Sequence, residues 1–89
     1  MSSGNLSSTR LTALTTSTLS LLLERQRLQA THPTLHLQQI ASNLRVIRAG
    51  VIVAQSQDND AVSQSLREQY ERMIGMLGVE EAEGAGLER

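Results

Sequence analysis

The chain has 89 residues, a formal net charge of −1, one aromatic residue (Tyr70) and no cysteine. These values argue against a disulfide framework, thiolate metal ligation and a global electrostatic pull toward nucleic acid or anionic lipid. A chain of this length buries only roughly 60% of the surface that its unfolded form exposes, so an aliphatic core without Phe or Trp calls for a partner, self or foreign, to complete it.

Residues 1–7, MSSGNLS, read as a polar, disordered lead-in. A helical pattern then begins near residue 9 and runs to about residue 31. Leu11, Leu14, Thr18, Leu21, Arg25 and Leu28 recur at alternating spacings of three and four, which is a heptad seam, and Leu19 and Leu22 widen it. Threonine-rich turns weaken the first half of this helix, while LSLLLERQRLQA is strong.

Pro33 ends that pattern, because it disfavours helical geometry at His32 and cannot sit inside a helix. It suits the first turn of a second helix, expected over about 34–55. The seam of this helix is Leu37, Ile40, Leu44, Ile47, Val51 and Ala54. The stretch NLRVIRAGVIVAQ is rich in β-branched residues, and a β-hairpin over Arg45–Gln55 is its competing reading. Strands alternate with period two; here the apolar positions continue a three-and-four line set up ten residues earlier, so the stretch reads as helix. Val46, Ile52 and Val53 fall off the seam, which makes the end of this helix apolar on more than one face. Gly50 within it either weakens the helix or admits a close neighbour.

The polar run QSQDND shifts the register by one residue and reads as a turn, with Asp58, Asn59 or Asp60 as cap. A third helix over about 60–77 carries Val62, Leu66, Tyr70, Met73 and Leu77 on its apolar face. Gly78 signs its end, with Val79 placed to fold back in a Schellman-type cap. Residues 79–89 read as a flexible acidic tail. The predicted fold is therefore all-α, a helical hairpin plus a third helix over 8–78, closed as a small three-helix bundle or opened into a coiled-coil-like assembly unit.

Chemistry-bearing patterns are thin. His32 and His36 have the four-residue spacing of a helical metal pair, but Pro33 separates them and no Cys or nearby acid completes a site. Gly75 and Gly78 lack the Lys that a phosphate loop would supply. No nucleophile–base–acid set is recognisable, so the expectation is a non-enzyme with no cofactor, no metal and no small-molecule substrate. All eight basic residues are Arg. Arg10, Arg25, Arg27, Arg45 and Arg48 form the strip that a nucleic-acid-binding regulator would use, although the nine acids and the lack of stacking aromatics argue against it. Arg25 sits inside the first seam, where a polar residue sets register or partner. Met73, Ile74, Met76 and Leu77 would form an adaptable apolar end, in the core or facing a partner.

The expected function is a helical scaffold or adaptor subunit that docks on a helical partner, or on itself as a homo-oligomer, within a larger complex. Its seam residues are Leu14, Leu21, Leu28, Leu37, Ile40, Leu44, Ile47, Val51, Leu66, Tyr70, Met73 and Leu77. The absence of cysteine favours a reducing intracellular compartment, cytoplasm or nucleus. No apolar run reaches the roughly eighteen residues of a membrane span. A third reading is an organelle-targeted protein with a cleaved N-terminus. Residues 1–23 hold one Arg and no acid, but Ser and Thr interrupt their apolar run.

Overall fold

The computed structural model describes residues 8–57 and 60–87. Among these residues are four helices and no strand: α1 (Ser8–Leu28), α2 (Leu37–Gln57), α3 (Ala61–Leu77) and the short α4 (Val79–Gly84). Each of the first three packs against the other two, and α4 folds back on α3. The chain is a small three-helix bundle with principal extents of 43 × 21 × 21 Å. The lead-in 1–7, the centre of the QSQDND turn at 58–59, and residues 88–89 lie outside the described residues.

The second helix forms on the seam that its sequence sets. Ile40, Ala41, Leu44, Ile47 and Val51 are buried, and Leu37 and Ala54 are half-buried at its ends. The β-branched stretch Arg45–Gln55 lies inside this helix. Gly50 has the second of its two readings: a Cβ placed there would come within 2.9 Å of Leu11 Cδ1. A bare backbone thus lets α1 lie close against α2 at this point.

On α1 the buried line differs from the expected seam. Leu11, Thr15, Thr18, Leu22 and Arg25 are buried, whereas Leu14, Leu21 and Leu28 are half-buried. The buried residues keep a four-and-three spacing, but in the phase that takes Thr15 and Leu22 in place of Leu14 and Leu21, so Leu14, Leu19 and Leu21 pack along the flank of that line. Two threonines sit in the apolar interior because their hydroxyls have partners. Thr15 Oγ1 donates to Leu11 O at 2.8 Å and Thr18 Oγ1 to Leu14 O at 2.7 Å.

The turn between α1 and α2 is longer than expected. The first helix ends at Leu28 rather than near 31, with Thr31 N and His32 N both donating to Leu28 O. The second begins at Leu37 rather than 34. Tight turns occupy the interval, with Leu35 N donating to His32 O and Leu37 N to Thr34 O, each at 3.1 Å. His36 then takes a left-handed conformation, φ 59°, which no continuing helix permits. Only from Ile40 N to His36 O, 2.8 Å, do the α2 bonds start.

Two further corrections concern the C-terminal half. Val62 is 50% exposed, and Ser63 takes the buried place beside it. Asp60 caps α3 by accepting from Ser63 N at 2.9 Å, and the Ser63 hydroxyl finds acceptors on Asp60 as well, so this small polar residue is satisfied where it is buried. Beyond Gly78 the expected free tail is replaced by α4, and Val79, expected to fold back as a cap contact, is exposed at its start. Ala82 and Leu87, 3% and 4% exposed, join the same buried cluster as Leu66, Tyr70 and Met73. Met73, Ile74 and Leu77 are consequently buried and Met76 half-buried, so this apolar end belongs to the core rather than to an open patch.

Candidate functional site

Most of the sequence-predicted seam is closed inside the bundle. Ile40, Leu44, Ile47, Val51, Leu66, Tyr70, Met73 and Leu77 are all at most 5% exposed. They hold the chain's own helices together and offer little to an outside helix. Three other features bear on function: a buried polar residue at the end of α1, the outward face of α2, and a groove between α2 and α4.

The first is Arg25, 5% exposed at the end of α1. Its Nη1 donates to Pro33 O and, at 3.4 Å, to Leu35 O. A guanidinium is a fork of donors with no acceptor, so loop carbonyls are natural partners when its stem is buried. Beside it in sequence, Glu24 Oε1 meets His36 Nε2 at 2.5 Å. That hydrogen bond holds the Glu24 carboxyl below its ordinary range. Together the two arginine bonds and the His36 pairing tie the α1–α2 turn to the last turns of α1. The polar seam residue thus meets its partners within its own chain.

The second feature is the outward face of α2. Val46 and Ile52 are 44% and 49% exposed, Ala49 is exposed between them, and Val53 is half-buried. At about 100° per residue Val46, Ala49 and Val53 lie beside one another on the side away from Ile47 and Val51, and Ile52 lies next to Ala49, about 120° round from Val46. Leu23 on α1, 53% exposed, is a further large apolar residue at the surface. The off-seam residues singled out in the sequence are therefore those left uncovered.

The third is an open groove of about 610 Å³ between α2 and α4, with Leu37, Ala41 and Arg45 on one side and Glu81, Gly84 and Ala85 on the other. Arg45 reaches across it, donating from Nε and Nη2 to Ala85 O at 3.2 and 3.0 Å. Two of the five arginines in the candidate nucleic-acid strip are thus engaged within the chain, Arg25 with the turn and Arg45 with α4. Arg10 and Arg27 are 17 residues apart on α1, roughly 25 Å along the axis at 1.5 Å per residue.

Among the described residues no group of His, Cys, Asp and Glu is arranged to hold a metal ion, and no helix is long and apolar enough to cross a membrane. His36 turns to Glu24 rather than pairing with His32. The sequence matches no protein-family model, and no curated protein or solved structure shows significant similarity to it. Fold and surface together define a small three-helix bundle with a closed aliphatic core and an apolar outer face on its central helix.

Proposed function

We propose that the chain is a non-enzymatic scaffold or adaptor subunit that acts by helix packing, with α2 as the shared element. The observation that supports this reading is the two-sided character of α2. Its inner face is buried against α1 and α3, while Val46 and Ile52 on the outer face are about half exposed. Large apolar side chains clustered on one exposed helix face lower the free energy most when another surface covers them. A partner helix laid along Val46, Ala49 and Val53 would meet an apolar strip with the charge of Arg45, itself hydrogen-bonded to Ala85 O, along one edge, so it is expected to be amphipathic with acid on that edge. The test is sedimentation of the full chain at low micromolar concentration, with circular dichroism on the same sample. The expected result is a helical species heavier than the monomer, or a monomer that gains mass with an acidic amphipathic helix. A cooperatively folded monomer that binds no such helix defeats the scaffold reading.

A further inference from the structure

We propose that residues 79–87 form an exchangeable segment, which one chain can withdraw from its own α2 groove and deliver to the groove of a second copy. The surfaces involved exclude Val46 and Ile52, so this inference and the scaffold reading can fail separately. The hinge is a single residue. Gly78 alone separates α3 from α4, and helical hydrogen bonds run up to it and away from it, Gly78 N to Ile74 O at 3.0 Å and Ala82 N to Gly78 O at 2.9 Å. Its φ of +103° and ψ of 144° are what turn α4 back. Returning that one residue to helical dihedrals makes Ala61–Gly84 a continuous helix and carries Ala82 and Leu87 away from the parent bundle.

The occupant's chemistry is already displayed in the closed chain. Six residues are too few for a helix to persist alone, so α4 depends on the interactions that dock it. Those are the burial of Ala82 and Leu87 and the two hydrogen bonds from Arg45 to Ala85 O. A second copy offers the same groove, the same arginine and the same core, so every interaction broken on opening re-forms between chains. Exchange of an identical element is a low-cost route to a dimer for that reason. Charge favours the same pairing: the groove carries Arg45 and the segment carries Glu80, Glu81 and Glu83.

Two experiments on the full chain test this. No heavy atom lies within 4 Å of a Cβ built on Gly78, so Gly78→Ala acts through the backbone alone. The conformation of Gly78, φ +103° and ψ 144°, lies near a region that essentially glycine alone populates, so an L-residue disfavours it by a factor of at least roughly ten per hinge; a dimer straightens two hinges, and the self-association constant should rise at least roughly a hundred-fold by sedimentation equilibrium. A Gly78→Ala chain that stays monomeric with wild-type helicity overturns the proposal. The second experiment leaves the hinge untouched and decides the matter if Gly78→Ala lowers the helical signal. Arg45→Glu and Glu81→Arg, both at exposed positions, each place like charges across the groove within one chain. Mixed, the two chains restore opposite charges only by exchanging segments. Heterodimer in excess over both homodimers, read by native mass spectrometry, is the expected result. A monomeric mixture, or dimers in statistical proportion, overturns it.

Discussion

Arg25 is a buried cation with no carboxylate partner among the described residues. Arg25 is tolerated because two loop carbonyls, Pro33 O and Leu35 O, take its donors, and hydrogen bonds to a charged group each contribute about 1.5–3 kcal/mol. Arg25→Met keeps most of the stem packing and removes the donors. We expect it to lower stability by about 2–3 kcal/mol in urea denaturation and to speed amide exchange across residues 34–37. An unchanged midpoint would show that the carbonyls are as well served by water. The cap at Asp60 gives the second residue-scale expectation. The Ser63 backbone N–H, and then its hydroxyl, hold the Asp60 carboxyl below its ordinary value of 3.8. A carboxyl depressed in the folded state contributes stability above its unfolded pKa and loses it as pH falls through the folded value. Helicity of α3 should therefore weaken below about pH 4, and Asp60→Asn, which keeps an acceptor, should flatten that part of the acid titration. Sequence made both residues visible in different degrees. A charge at an apolar periodic position marks Arg25, but its partners are backbone atoms of a turn, which no side-chain pattern encodes. The polar run offered three caps for α3, and the choice of Asp60 depends on where the first turn starts.

At the scale of elements, legibility follows how plainly residue type marks the buried line. The α2 seam was readable because its buried residues keep one unbroken line of three-and-four spacing from Ile40 to Val51. On α1 the buried line runs in the other phase of the same spacing, and it includes Thr15 and Thr18, whose residue type suggests a surface. What the sequence does not show is that their hydroxyls bond back to Leu11 O and Leu14 O. Those acceptors also serve the helix backbone, so removing the hydroxyl strands no partner. Thr15→Val and Thr18→Val should each raise stability by about 0.5–1 kcal/mol, the worth of roughly one buried methyl group with nothing orphaned. A loss of stability in thermal unfolding would mean that the hydroxyls do more than occupy space. The α4 segment was missed for a different reason. EEAEGAGLER is acidic and glycine-containing, with only Ala82 and Leu87 to bury, and the burial of both depends on the turn at Gly78.

For the molecule as a whole, neighbouring residues of one helix are assigned opposite consequences. Leu44 and Ile47 are 0% exposed on α2, while Val46 and Ile52 are about half exposed on its other side. An Asp at residue 44 or 47 would put a charge at a fully buried apolar position, at a cost of several kcal/mol, and a bundle this small has few such units to lose. Leu44→Asp and Ile47→Asp should therefore abolish the cooperative thermal transition and, with it, any assembly. Val46→Glu combined with Ile52→Glu puts two charges where water already reaches, so the bundle should keep its melting temperature within a few degrees. The same pair removes the apolar strip that the scaffold reading relies on, and adds like charge against an acidic partner. It should abolish binding of an acidic amphipathic helix to this face while leaving the circular dichroism spectrum unchanged. If the double variant associates as the wild type does, the outer face of α2 is only surface, and the search for a partner site moves to the α2–α4 groove. Should it unfold instead, Val46 and Ile52 stabilise the bundle itself, and the division of α2 into an inner structural face and an outer binding face is wrong.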